Sequence, residues 1–168
     1  MSKSIKFKNN TYWDSDSISH KKRIVKNLLN NCINIEYGTS LNIPAGFDNR
    51  IDIPFYSLKT LSSNLTFSGT RVVVGKNVHT VKISYDMRVD WDASNDVVYY
   101  FMVTTSGGDQ WGTHRAIYKT NSIQYGTTVS SFILDVAEGT EIALLTWNSS
   151  ESSQSVNLWG NLYIKVLD

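Results

Sequence analysis

The residue types best suited to binding chemistry lie together in one short segment, residues 106–115. The segment supplies a carboxylate, an amide, an indole, an imidazole and a guanidinium, from Asp109, Gln110, Trp111, His114 and Arg115. Sugars present an apolar face and a ring of hydroxyls, so a flat aromatic ring beside planar hydrogen-bonding groups suits them. Glycines on both sides of the indole leave it open to approach. The segment is a candidate carbohydrate-binding loop; the structural alternative is that Trp111 folds back and caps an open end of the domain.

Two other tryptophans are weaker candidates, and a third is expected to be structural. Trp91 lies between two aspartates at a predicted strand end, and Trp147 precedes the polar loop 148–153, so both could contact a ligand. Trp159 falls within a hydrophobic C-terminal strand, which predicts a structural position in the core.

Metal and catalytic chemistry have little support. Residues 90–96 place oxygen-bearing side chains at alternate positions, as at the start of a calcium loop. Position twelve would be Phe101, where an EF-hand requires a bidentate glutamate, so a polar hairpin turn is favoured over a calcium site. The three histidines are scattered, and no nucleophile elbow, phosphate loop or dinucleotide fingerprint occurs. We therefore expect no enzyme, no metal and no cofactor; a polysaccharide-cleaving enzyme would need a carboxylate pair that the sequence does not identify.

From about Ile35 onward the chain is predicted to be mostly β. Apolar runs separated by glycine, asparagine and proline turns give nine candidate strands: 34–43, 50–57, 64–75, 78–90, 97–105, 115–120, 127–136, 140–147 and 156–167. This pattern predicts an antiparallel β-sandwich or barrel. Strand 97–103 is apolar on both faces, which predicts that one face packs in the core and the other against neighbouring subunits of a trimer.

The N-terminal region has a different character, with seven lysines and arginines against two aspartates before residue 32. Residues 4–13 alternate apolar and polar, which indicates a small hairpin or an extended docking segment. Residues 18–31 form an amphipathic helical pattern whose apolar seam continues to Cys32, expected to be a small buried thiol. The helix either self-associates, which we favour, or packs on the β domain. We therefore divide the chain into a docking segment with a helical neck, 1–33, and a head, 34–168.

Several partner classes are not expected. No apolar run approaches the ~20 residues needed to cross a bilayer, and the N-terminus lacks the apolar centre of a secretion signal. The net charge of +1 argues against nucleic acid as the partner of the head. The sequence predicts a part that is made in a bacterial cytoplasm and is not inserted in a membrane.

Two segments resemble the jelly rolls of tumour-necrosis-factor-like and complement-head-like proteins. In residues 73–85 a glycine turn leads into a pleated strand that ends at Tyr85, and in residues 132–144 a hydrophobic strand, a turn and a second strand follow one another. Thr140-Glu141 replaces the aspartate that is usual in that turn. The resemblance covers roughly residues 40–168. It implies an antiparallel jelly-roll sandwich, here preceded by a short helix, and a homotrimer, because the known members are obligate trimers.

The opening residues 5–15, with the basic run after Ile18, resemble minor structural proteins of phages that infect low-GC Gram-positive bacteria, such as tail-tip, baseplate or head-fibre proteins. Together the two resemblances imply a virion fibre or receptor-binding protein whose trimeric head recognises a host cell-surface glycan or protein. Residues 1–17 would dock onto another virion protein, and loops far from this foot would carry the receptor site. The alternative is a structural decoration or joint protein without a ligand.

Overall fold

The computed structural model describes residues 5–6, 12–13, 31–60, 62–91, 96–119 and 125–168. In the N-terminal region, β1 (Ile5–Lys6) and β2 (Tyr12–Trp13) pair antiparallel, as a small hairpin requires. The predicted neck helix lies outside the described residues except for Asn31, and so does most of the candidate calcium loop.

One sheet, called sheet I, has five antiparallel strands in the order β12-β8-β14-β3-β5. Their bounds are Cys32–Ile43 for β3, Ser57–Thr60 for β5, Thr80–Asp90 for β8, Tyr125–Asp135 for β12 and Gln154–Val166 for β14. The strand β8 alternates buried and solvent-facing residues along its length, so one face of this sheet packs in the core and the other faces outward.

The second sheet, called sheet II, contains seven shorter strands around the central pair β9 and β13. Their bounds are Ile51–Asp52 for β4, Leu65–Ser68 for β6, Arg71–Val74 for β7, Val97–Thr105 for β9, Gly108–Asp109 for β10, Arg115–Lys119 for β11 and Glu141–Asn148 for β13. Strands β10 and β11 both pair with β9, and strands β4 and β7 both pair with β13.

The core lies between the two sheets. Aliphatic and aromatic side chains from β3, β8, β9, β13 and β14 are fully buried there, among them Ile83, Tyr99, Phe101, Leu144 and Ile164. The edge strand β12 contributes the partly buried Phe132 and Leu134. Burial of such side chains is the main favourable term in folding. The antiparallel sandwich predicted from the strand pattern is therefore confirmed.

Several local predictions are wrong. Cys32 is buried, as expected, but it begins strand β3 and pairs with Lys165, because apolar alternation continues unbroken from there into the sheet. The predicted strand 64–75 is a hairpin of two strands, because Gly69 adopts a positive φ of 60° and turns the chain. Trp159 faces outward from sheet I, where its ring lies over Gly38, at 3.2 Å from the position that a Cβ would occupy.

The head begins and ends at the same end of the sandwich, which we call the proximal end. The Val166 N–H donates to the Asn31 carbonyl at 2.8 Å. The Asp168 carboxylate accepts the N–H groups of His79 and Thr80 at 2.7 and 3.0 Å, so the last residue is also fixed there.

Candidate functional site

Five aromatic rings form a cluster on the outward face of sheet II, from Phe47, Tyr100, Trp111, His114 and Trp147. We call it the flank cluster. The rings of Tyr100, His114 and Trp147 are nearly parallel, with centroids 5.2–5.4 Å apart in every pair. The Phe47 ring meets Trp147 edge-on at 5.1 Å and stacks against Trp111 at 5.1 Å with an interplanar angle of 27°. Such offset and edge-to-face geometries are the favourable ones for aromatic pairs.

The cluster explains the two apolar faces of β9. Tyr100 and Met102 occupy its outward positions, opposite Trp147 and Leu145 of β13. This second apolar face packs against Phe47 of the same chain. The prediction that neighbouring subunits cover it is therefore wrong, because a segment between β3 and β4 folds back over the sheet instead.

That returning segment is fixed by hydrogen bonds at the buried residue Asn148. The Asn148 amide donates to the Ile43 carbonyl at 2.6 Å and accepts from the N–H and hydroxyl of Ser150. The Gly46 N–H also donates to the Asn148 carbonyl at 3.0 Å, which positions the 3₁₀ turn that begins at Phe47.

Trp111 is held by a second short 3₁₀ turn, Trp111–Thr113. Thr113 is buried; its hydroxyl donates to the Gln110 carbonyl and accepts the Val103 N–H. The Tyr85 hydroxyl reaches across from sheet I and donates to the Thr113 carbonyl at 2.5 Å, and burial raises the pKa of Tyr85 to about 12. The turn is thus tied to both sheets, while Trp111 itself stays 59% exposed.

Two charged residues beside the cluster, Arg50 and Asp109, form an ion pair. The Arg50 guanidinium donates to the Asp109 carboxylate at 2.9 Å, and it lies 4.0 Å from the centre of the Phe47 ring. Asp109 also accepts the Thr104 hydroxyl at 2.9 Å. This ion pair joins the returning segment to β10. The Phe47 ring is contacted both by Arg50 and by Trp111.

The structure brings together three of the five predicted site residues. Trp111 and His114 belong to the flank cluster, and Asp109 reaches it through the ion pair. Gln110 serves its own loop, because its amide donates to the Thr105 hydroxyl and the Gly108 carbonyl.

Arg115 lies apart from the cluster. Its guanidinium donates to the carbonyls of Gly112 and His114, and it lines an open groove of about 450 Å³ on the sheet I side, together with Ser131 and Tyr163. His114 has a pKa lowered first by its burial and second by the Arg115 charge.

The flank cluster is not at a distal tip. The Ser106 N–H donates to the carbonyl of Glu141, the first residue of β13, at 3.0 Å. The segment that leads from β12 into β13 lies beside His79, because the Val136 N–H donates to the His79 carbonyl. His79 lies at the proximal end, so loop 106–110 is also there, and the chain then returns along β9 to bring Trp111 onto the side of the sandwich.

The other three tryptophans of the head differ in their burial. Trp91 is buried and stacks on Tyr99 at 5.6 Å, so it is structural, and Trp147 is buried at the base of the flank cluster. Trp159, expected in the core, is 51% exposed. Phe47 and Arg50 were missed, although an aromatic residue in the polar turn 44–50 was a signal that this turn packs on something.

Within the described ranges, no three histidine, cysteine, aspartate or glutamate side chains are grouped as a metal site would need. In the same ranges, no helix has the length and apolar character for crossing a bilayer.

Comparison of the fold with solved structures gives three informative similarities. The globular domain of zebrafish complement 1qA matches with a TM-score of 0.53 at 6% identity, covering 82% of this chain and 98% of that one. Eiger TNF from S. frugiperda matches with 0.53 at 15% identity, covering 82% and 92%. The fold is a TNF/C1q-like jelly roll. The vertex protein P5 of PRD1 shares this fold, with a TM-score of 0.51 at 12% identity over 83% of this chain and 99% of P5.

No protein-family model matches the sequence, and comparison with the curated proteins gives no match. The jelly-roll resemblance read from residues 40–168 is confirmed at the level of the fold.

Proposed function

We propose that this chain is a phage virion spike or fibre protein whose TNF/C1q-like head attaches to a glycan or protein on the surface of a Gram-positive host. The observation that carries the proposal is that the large Trp111 side chain is exposed to solvent and stacks on the Phe47 ring of the flank cluster. The P5 vertex protein, a virion component with the same fold, supports it. The basic N-terminal segment, residues 1–17, is proposed to dock onto another virion protein.

The physical argument rests on preorganisation. The Trp111 ring is already oriented by Phe47 and its turn is fixed by Thr113, so binding a ligand there would cost little additional side-chain entropy. Tryptophan is also among the residues that contribute most binding energy at interfaces.

We also propose that the head is a homotrimer that uses the outward face of sheet I. The edge strand β12 carries a ridge of exposed apolar residues, with Val129 68% and Ile133 64% exposed. Beside it lies a groove of about 470 Å³ that reaches Trp159 and Asn161 on β14. Val129 itself lines this groove, so the ridge and the groove form one continuous surface. Contacts of such a surface with neighbouring copies can close into a ring under three-fold symmetry. The flank cluster would then stay accessible on the outside.

Binding of the fluorescently labelled full chain to a panel of low-GC Gram-positive strains tests the attachment role. We expect Trp111→Ala to reduce binding at least about tenfold, as the loss of a central aromatic contact does. Tyr118→Ala is the matched control, because Tyr118 is a 70% exposed aromatic residue of β11 on sheet II that does not belong to the five stacked rings. It should bind like the parent protein.

Thermal melting of the same variants separates attachment from the structural alternative. Both substitutions should leave the melting temperature nearly unchanged, because both side chains are mostly exposed. A drop of many degrees for Trp111→Ala, with unchanged cell binding, would favour a decoration or joint protein in which the stack on Phe47 serves only packing.

A further inference from the structure

The flank cluster combines a flat apolar surface with little free charge. The stack on Phe47 fixes the plane of the Trp111 indole, and the base beneath consists of the parallel rings of Tyr100, His114 and Trp147. A ligand that fits such a surface presents a flat apolar face of its own.

The described arginines near the cluster already have hydrogen-bond acceptors within the protein. Arg50 is neutralised by Asp109, and Arg115 donates to backbone carbonyls and lies in the groove on the other side, which it shares with Asp86. The packing of His114 favours its neutral form. The guanidinium that lies over a ring of the cluster, Arg50, is therefore already paired with a carboxylate.

The charge next to Phe47 in the sequence is negative. Asp48 follows Phe47 in the 3₁₀ turn and is exposed. A carboxylate here repels the phosphate groups of charged cell-wall polymers, so the Phe47 side of the cluster disfavours an anionic ligand.

Polar contacts for hydroxyl groups are nevertheless present at the edge of the stack. Arg50 donates through Nη1 to the Phe47 carbonyl and through Nη2 to Asp109, and a guanidinium has five N–H groups in all. Its remaining donors, on the ring that Trp111 also contacts, can bond to neutral oxygen atoms without losing the ion pair.

We infer that the flank cluster binds an uncharged saccharide, with the apolar face of one pyranose ring stacked on Trp111 and its hydroxyl groups bonded to the Arg50–Asp109 pair. The inference rests on the proposed attachment function and narrows its ligand to neutral sugars. Anionic wall polymers and proteins are the competing receptors.

The test uses the labelled full chain on immobilised neutral oligosaccharides of the kinds found in Gram-positive wall polysaccharides, and on a poly(glycerol phosphate) teichoic acid. Binding to at least one neutral sugar is expected. That binding should change by less than about twofold between 0.1 and 1 M NaCl, because the screening length falls from about 10 to about 3 Å and affects only charged partners.

Three variants are measured on the same surfaces. Trp111→Ala should lose at least about tenfold in affinity for the neutral sugar, and Trp111→Phe should retain part of it because a flat ring remains. Arg50→Met keeps an apolar side chain over Phe47 and should weaken binding through the lost donors. Tyr118→Ala should be unchanged.

Each outcome decides between specific alternatives. Binding to the teichoic acid alone, falling steeply with salt, overturns the neutral-sugar inference. Trp111-dependent binding to cells without binding to any sugar also overturns it and indicates a protein receptor, while the attachment function stands. Absence of Trp111-dependent binding to both cells and sugars overturns the attachment function itself.

Discussion

At His114, ring packing makes the stability of the head depend on pH. Burial against Tyr100 and Trp147, and then the nearby Arg115 charge, lower the pKa of the imidazole. The unfolded chain binds a proton more readily than the folded one, so protonation favours unfolding. The contribution of neutral His114 is complete above its ordinary pKa of about 6.5 and declines as the pH falls below that value.

This predicts that the melting temperature falls between pH 7.5 and 5.5, and that His114→Phe, which keeps the stacking but cannot titrate, makes the fall smaller. Melting curves at both pH values measure the difference. His79→Asn is the control, because it removes the other described histidine and leaves the flank cluster intact. A fall that persists in His114→Phe and vanishes in His79→Asn would contradict the assignment to His114.

At the level of elements, the flank cluster depends on the segment that returns between β3 and β4. Asn148 fixes that segment, because its buried amide donates to the Ile43 carbonyl at 2.6 Å. Asn148→Leu leaves this carbonyl without its partner, and an unsatisfied buried group costs about 1–3 kcal/mol. We expect the free energy of unfolding to fall by about that amount. We also expect the tryptophan fluorescence to change, because Phe47 contacts both Trp111 and Trp147.

Denaturant unfolding of Asn148→Leu and of Asn157→Ala checks this expectation. Asn157 accepts a hydrogen bond from Ser40 at the surface of sheet I, so its loss should have little effect. An equal loss of stability in both variants would show that the asparagine does not anchor the segment.

The packing of this segment on sheet II could not be predicted from the sequence. The sequence predicts strands such as β8 well, because a strand with one solvent-facing and one buried face alternates polar and apolar residues. The two apolar faces of β9 carry no information about what covers the second face, so a neighbouring subunit and a returning loop were indistinguishable. The long-range contacts of Phe47 and Arg50 with the loop around Trp111 decide that question, and they depend on topology rather than on local pattern.

The sequence predicts only part of the site, because closeness in the sequence does not determine the side of the sheet on which a side chain lies. Clustering in the sequence correctly singled out Trp111 and His114 as neighbours, yet alternation along β11 sends Arg115 to the opposite side. Trp159 was assigned to the core because its strand is hydrophobic, whereas Gly38 on the neighbouring strand leaves space for the ring to lie on the outward face.

For the whole molecule, the decisive quantity is the mass in solution. The exposed ridge of β12 and the groove beside Trp159 together favour contact between copies, and burying a side chain such as Val129 or Ile133 contributes about 1.5–3 kcal/mol. We expect light scattering at micromolar concentration to give three times the chain mass of 19.0 kDa. A monomer mass for the parent protein would contradict the proposed trimer.

The location of the interface is tested by Val129→Asp. A carboxylate on the ridge would be buried without a partner in every subunit contact, so the trimer should dissociate to folded monomers, as judged from circular dichroism. Tyr118→Asp places the same charge on the outward side of sheet II and should remain trimeric. If Tyr118→Asp dissociates the assembly and Val129→Asp does not, the subunits meet through sheet II, and the flank cluster is then a subunit contact instead of a receptor site.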